Sequence, residues 1–227
     1  MTGPEGPADG SVSLSGPLSL SKGPRVAVLD YGSGNLHSAT RALAEAGADV
    51  VLTADPEVAV AADGLVVPGV GAFAACMEGL LAVGGDAIIA RRIAANAPIL
   101  GICVGHQVLF ARGDEHGQLV PGCGVYPGLV TQLKAVRLPH MGWNEVRTPT
   151  STSMFAGVTG ERFYFVHSYG ALTTADLPEG AAITWARHED DDFVAAVEWG
   201  RVWSTQFHPE KSGPAGARLL SNWIATL

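Results

Sequence analysis

One cysteine of this chain sits in Gly101-Ile-Cys-Val-Gly105, and far downstream the chain reads Gln206-Phe-His-Pro-Glu210. Together they offer a thiol nucleophile, an imidazole to take its proton, and a carboxylate two residues on to orient the imidazole. Such a set attacks a carbonyl carbon and suits the splitting of an amide through a thioester. Glycines on both sides of Cys103 permit the tight strand-to-helix turn that exposes a nucleophile. The start of a helix there favours thiolate. The Val104 amide is placed to donate to an oxyanion. A second donor is expected from Val70 or Gly71 in the Pro68-Gly-Val-Gly71 loop. In an extended segment His208 and Glu210 would share one side, with Pro209 fixing φ between them. Cys76 and Cys123 lack such flanks and read as small buried hydrophobes.

These groups need a scaffold that brings distant segments to one edge. Arg25-Val-Ala-Val-Leu29 is a short apolar run, as are Val50–Leu52, Gly64–Val67 and Ile99–Ile102. Each reads as a buried strand. Between them lie helical patterns: one that Asn35 can cap and Gly47 ends, then stretches around Ala72–Val83 and Asp86–Ala95. Alternation of this kind indicates a parallel sheet with helices on both faces. After Gly113 the pattern changes to aromatic and β-branched stretches: Trp143–Val146, Phe163–Tyr169, Ala182–Arg187, Phe193–Trp199 and Val202–Phe207. Asp190–Asp192 is expected at a hairpin tip, and Leu219–Ala225 in a closing helix. The expected fold is α/β: a mixed, mostly parallel central sheet extended by antiparallel strands. Residues 1–23, rich in Gly, Pro and Ser, read as a flexible leader, and 24–227 as one domain.

Composition narrows the function. The 227 residues carry 14 Lys and Arg against 22 Asp and Glu, a net charge of −8. No basic run supplies the footprint of a nucleic-acid binder. No apolar stretch reaches the ~20 residues of a membrane span. Three cysteines without CxxC spacing argue for a reducing compartment, and a cytoplasmic location is expected. The histidines lack zinc-ligand spacing, so neither a metal nor any other cofactor is expected. Gly32-Ser-Gly34 fails the dinucleotide fingerprint because His37 stands at the third glycine position.

Asp30-Tyr-Gly-Ser-Gly-Asn-Leu36, Pro68-Gly-Val-Gly-Ala-Phe73, Pro139-His-Met-Gly-Trp-Asn144, Phe165-Val-His-Ser-Tyr169 and Gln206–Ser212 carry a resemblance spanning Arg25 to Leu227. The chain resembles the class I, triad-type glutamine amidotransferases, and within them the glutaminase subunits of imidazole glycerol phosphate synthase. The resemblance implies a flavodoxin-like sheet and a Cys103–His208–Glu210 triad. It also implies L-glutamine as substrate, with Gln107, Ser168 and Tyr169 lining its site. The implied partner is a (β/α)8-barrel cyclase in a heterodimer, contacted through Asn35, His140, Trp143 and Lys211. His106 departs from the pattern, which usually has methionine there. A second base at that position is poorly placed within the elbow helix. Three alternatives stay open: another class I glutaminase, such as one serving pyridoxal phosphate synthesis; a non-catalytic regulatory subunit; and an α/β-hydrolase with a cysteine elbow. The last is disfavoured because its acid precedes its histidine along the chain.

Overall fold

In the computed structural model, which describes residues 23–173 and 177–227, the apolar runs become strands, buried at Val26–Leu29, Gly64–Val67 and Ile99–Ile102 and half-buried to exposed at Val50–Leu52 on the sheet edge. The chain passes through β1 (Arg25–Leu29), α1 (Leu36–Glu45), β2 (Asp49–Thr53), α2 (Pro56–Ala61), β3 (Gly64–Gly69), α3 (Phe73–Ala82), α4 (Gly85–Ala94) and β4 (Ile99–Cys103). A single turn, α5 (Val104–Gln107), follows. Then come β5 (Phe110–Glu115), β6 (Gln118–Pro121), β7 (Tyr126–Gln132), β8 (His140–Glu145), β9 (Arg162–His167), β10 (Tyr169–Ala171), β11 (Ala182–His188), β12 (Asp191–Trp199) and β13 (Val202–Thr205). A 3-10 turn over Pro209–Lys211 and helix α6 (Gly213–Ile224) complete it.

The main sheet has seven strands in the order β11-β12-β13-β4-β3-β1-β2. Its β2, β1, β3, β4 and β13 are parallel, and β12 and β11 add antiparallel. Parallel strands covered on both sides need continuous apolar sequence, and every residue of β3 and β4 is buried. The right-handed crossover rule puts α1 on one face and α2 to α4 on the other, because the chain reverses direction across the sheet after β2. Accordingly α1 packs with α6, while α4 packs with α2 and α3.

Register places the chemistry. Thr205 pairs with Ile102, and Gly69 pairs with Cys103. The carboxyl ends of β3, β4 and β13 therefore deliver the Val70 loop, the cysteine turn and the His208 segment to one edge, where open α/β sheets bind ligands.

Several expectations need correction. The antiparallel strands do not all extend the main sheet: β10-β7-β5-β6 form a second sheet, and β8-β9 a separate pair. Helix α2 was not anticipated, although Asp55 caps it by accepting from Glu57 N at 2.8 Å, with proline in its first turn. Asn35 stands at the N-cap of α1 but its side chain makes no capping bond. The hairpin tip is Glu189-Asp190, while Asp191 and Asp192 already pair in β12. Asp191 instead accepts from Ala135 N at 2.9 Å and from Lys134 N, tying that loop to the strand. Residues 1–22 of the expected leader lie outside the described residues. Among the described residues no single helix is long and apolar enough to cross a membrane.

Candidate functional site

Cys103 has φ 57 and ψ −112, a left-handed backbone that a cysteine adopts only when its surroundings hold it there. The flanking glycines are what allow this. A Cβ on Gly105 would come within 1.8 Å of Val67 O, and one on Gly101 within 2.8 Å of Gly105 O. Turn α5 thus lies against β3 at a distance only glycine permits. Its first amide groups, beginning with Val104, have no partner within the helix, as at any helix start.

His208 is reached by a route other than the expected one. Strand β13 ends at Thr205, and Glu210 lies in the 3-10 turn rather than in an extended segment. The turn itself brings Glu210 Oε1 to 2.7 Å from His208 Nδ1, with both side chains buried. Ser212 Oγ donates to His208 O at 2.6 Å and accepts from Tyr164 N at 3.0 Å, and His208 N donates to Tyr164 O at 2.9 Å. Gly216 lets α6 close on this turn, since a Cβ there would meet Pro209 O at 1.9 Å. His208 Nε2 is buried without a hydrogen-bond partner, and it shares a cavity wall with Cys103. Burial alone would lower the His208 pKa. Its interactions with Cys103 and Glu210 outweigh that and raise it to about 9.

This cavity, of about 200 Å³, is lined by Val70, Gly71, Val104, Gln107, Ser168 and Tyr169 among others. It also gains walls that sequence reasoning missed: Glu115, Val166 and His167. Glu115 could have been suspected only from a carboxylate close after the elbow. Here its Oε2 accepts from Phe73 N at 2.9 Å. Gln107 Nε2 donates to Tyr169 O at 2.8 Å and to Gln206 Oε1 at 2.9 Å. Both amide hydrogens are committed, so what Gln107 can offer a ligand is its carbonyl oxygen. A larger groove of about 700 Å³, between Trp143 and Arg218, contains none of the reacting groups.

Two expected roles change. Val70 N–H donates to Ser33 Oγ at 3.1 Å, and Ser33 Oγ donates back to Val70 O at 2.8 Å. Cys76 Sγ donates to the same carbonyl at 3.3 Å. Both backbone polar groups of Val70 are thereby clamped, and its N–H is unavailable as an oxyanion donor in this arrangement. His140, expected at a partner surface, is buried. The exposed residues of its strand are Met141 and Trp143, at 63% and 52%, and Glu145. Lys211 is exposed at the cavity rim, and Asn35 is half-buried at the start of α1. His106 points away from the cavity, its Nδ1 2.8 Å from Ser204 Oγ beneath the elbow. Burial lowers its pKa to about 3, so it stays neutral. Among the described residues no cluster of His, Cys, Asp or Glu could hold a metal ion.

A model of the class-I glutamine amidotransferases matches residues 27–227. The chain belongs to that family. It is 60% identical over 204 residues to the imidazole glycerol phosphate synthase subunit HisH of Corynebacterium glutamicum, covering 88% of this chain and 97% of that one. The same-named protein of Thermobifida fusca is 56% identical over 210 residues, covering 90% and 99%. That of Mycobacterium tuberculosis is 57% identical over 200 residues, covering 88% and 96%. Solved structures share the fold: a glutamine amidotransferase superposes with a TM-score of 0.69 at 20% identity, over 89% of this chain and 99% of that one. A chain of PurLQS from Thermotoga maritima gives 0.68 at 19%, over 90% and 99%.

Proposed function

We propose that this chain is the glutaminase subunit of imidazole glycerol phosphate synthase and that Cys103, His208 and Glu210 carry its reaction. The observation that carries the reading is the meeting, at one sheet edge, of a left-handed cysteine and a histidine held by a buried carboxylate. Cys103 Sγ attacks the side-chain amide carbon of L-glutamine as the thiolate, its proton held on His208 Nε2 in the imidazolium that a pKa of about 9 favours. The oxyanion forms against the Val104 amide. His208 returns the proton to the nitrogen as the C–N bond breaks, releasing ammonia and leaving a γ-glutamyl thioester. Water deprotonated by His208 then attacks the thioester, giving glutamate and the free thiol. Glu115 offers a carboxylate for the substrate's ammonium group, and Gln107 its carbonyl oxygen.

Ammonia passes to a (β/α)8-barrel cyclase, which makes imidazole glycerol phosphate and an aminoimidazole carboxamide ribotide in the histidine pathway. Relatives carrying the name of a synthase subunit support a partner. We assign its contact to Val70 and Lys211 at the cavity and to the exposed Met141 and Trp143, together with Asn35. His140 is withdrawn from that set. A cytoplasmic location belongs to the same reading. No observation favours the alternative glutaminase or regulatory readings.

The test is glutamate release from glutamine by the full chain, alone and with a barrel cyclase carrying its ribotide ligand. Strong stimulation by the liganded cyclase is expected, and full activity of the chain alone would contradict the pathway assignment. The Ser33–Val70 clamp gives a physical reason for a low basal rate. One oxyanion donor carries roughly 10²–10³ in kcat, so freeing Val70 N–H in a small fraction of molecules is expected to raise the uncoupled rate about tenfold. Ser33→Ala should do this, read as glutamate release without cyclase. An unchanged or lower rate would remove the clamp from the account.

A further inference from the structure

We propose that His167, oriented by His140 and Asn144, is a positioning residue for the substrate site: it fixes the Tyr169 carbonyl that holds Gln107 in place. The inference rests on the glutaminase reading above.

The argument is one of hydrogen-bond direction. His167 Nδ1 lies 2.9 Å from Tyr169 O. A carbonyl only accepts, so Nδ1 carries the proton. In a neutral ring Nε2 must then accept, and its neighbour is His140 Nδ1 at 3.1 Å. His140 therefore donates from Nδ1 and accepts at Nε2, where Asn144 Nδ2 lies at 3.2 Å. Asn144 is fixed in the donating orientation, since Nδ2 also donates to Arg187 O at 2.8 Å and Oδ1 accepts from Glu145 N at 2.9 Å. Every nitrogen of two buried imidazoles is satisfied in one tautomeric order, running from β8 inward. Burial, chiefly, holds both rings neutral, His140 at about 4 and His167 at about 3. His188 stacks on His140 with ring centroids 4.3 Å apart and donates to Arg137 O at 2.7 Å, closing the outer side.

The run ends where the substrate is bound. Tyr169 O receives His167 and Gln107 Nε2 together, and the second Gln107 hydrogen goes to Gln206 Oε1. Gln206 Nε2 in turn lies 4.0 Å from Cys103 Sγ. His167 also lines the cavity. Without its proton on Nδ1, the Tyr169 carbonyl would keep one partner only, and Gln107 would lose its rigid seat. Two buried histidines serving only the core would also have to be hydrogen-bonded, so it is the endpoint at Tyr169 O that points to the substrate site, and the two roles separate experimentally.

The full chain is treated with two probes. A diazoketone analogue of glutamine alkylates Cys103 after binding in the pocket, whereas iodoacetamide alkylates it without needing the pocket. In His167→Leu the KI of the diazoketone is expected to rise about tenfold, the scale of one lost buried hydrogen bond. The limiting rate of inactivation and the iodoacetamide rate should be unchanged. His167→Asn restores a donor near Nδ1 and is expected to return KI to within about threefold of wild type. The proposal is overturned if KI is unchanged in His167→Leu, or if the asparagine variant is as impaired as the leucine one. A parallel fall in the iodoacetamide rate in both variants would also overturn it, because the whole site would then have collapsed. If the wild type shows no saturation by the diazoketone while iodoacetamide labels Cys103, the glutamine reading itself fails and the role of His167 with it.

Discussion

Cys103→Ala is expected to reduce glutamate release by roughly 10⁴-fold or more in kcat, with or without a cyclase, while leaving the fold intact. The loss follows from the chemistry: no other thiol lines the cavity to form the thioester. Cys76 lies beneath the Val70 loop, bonded to its carbonyl, and Cys123 lines a separate pocket near Trp199. Retention of the fold follows from the geometry. Alanine keeps the Cβ and must take the same left-handed backbone, which is held by the approach of Gly101 and Gly105 to their neighbours and not by the thiol. The variant removes only Sγ, so its melting temperature should stay close to that of wild type. Adding His208→Ala to Cys103→Ala should cost little more, because a base without its nucleophile has nothing to deprotonate. The measurement is single-turnover glutamate release beside a melting curve. Residual activity within about tenfold of wild type would move the acyl intermediate away from Cys103.

What the sequence disclosed and what it hid divide along physical lines. Strands buried on both faces must be apolar throughout, so β1, β3 and β4 are legible as runs. The elbow is legible because the backbones approach so closely that only glycine fits at two fixed positions. The second sheet was hidden because β5 reads Phe-Ala-Arg-Gly-Asp-Glu, with charges on a half-exposed strand and no clean period. The Ser33 clamp on Val70 was hidden for another reason, since a side chain reaching a peptide 37 residues away leaves no local signature. His140 is the more instructive case. The resemblance offered His140 to a partner alongside Trp143. As strand β8 the segment alternates, with Met141, Trp143 and Glu145 outward and His140 inward. A period of two read by hydrophobicity would have turned Met141 and Trp143 inward and His140 outward, so the inverted face could not be read from the pattern.

Glu210→Gln is expected to lower kcat/KM by roughly 10²–10⁴-fold and to move its alkaline limb to lower pH. Glu210 accepts from His208 Nδ1, which leaves Nε2 free to take the thiol proton. A glutamine amide facing Nδ1 with its nitrogen would force the opposite tautomer, with the proton already on Nε2. Facing it with oxygen, the amide keeps the tautomer but brings no charge to stabilise the imidazolium. Either orientation costs rate. The pH effect has a definite sign. His208 is raised to about 9 because its interactions with Cys103 and Glu210 outweigh burial. Above that value the ring loses the proton that departing ammonia requires, so the wild-type kcat/KM should fall on the alkaline side near pH 9. Removing the carboxylate leaves burial, which lowers the pKa, less strongly opposed. The limb must therefore shift downward, never upward. Because the Glu210 side chain is 3% exposed, added salt should not reproduce the shift by screening. Rate–pH profiles of wild type and variant decide the matter: a limb at the same pH in both would mean that Glu210 orients the ring without tuning its charge.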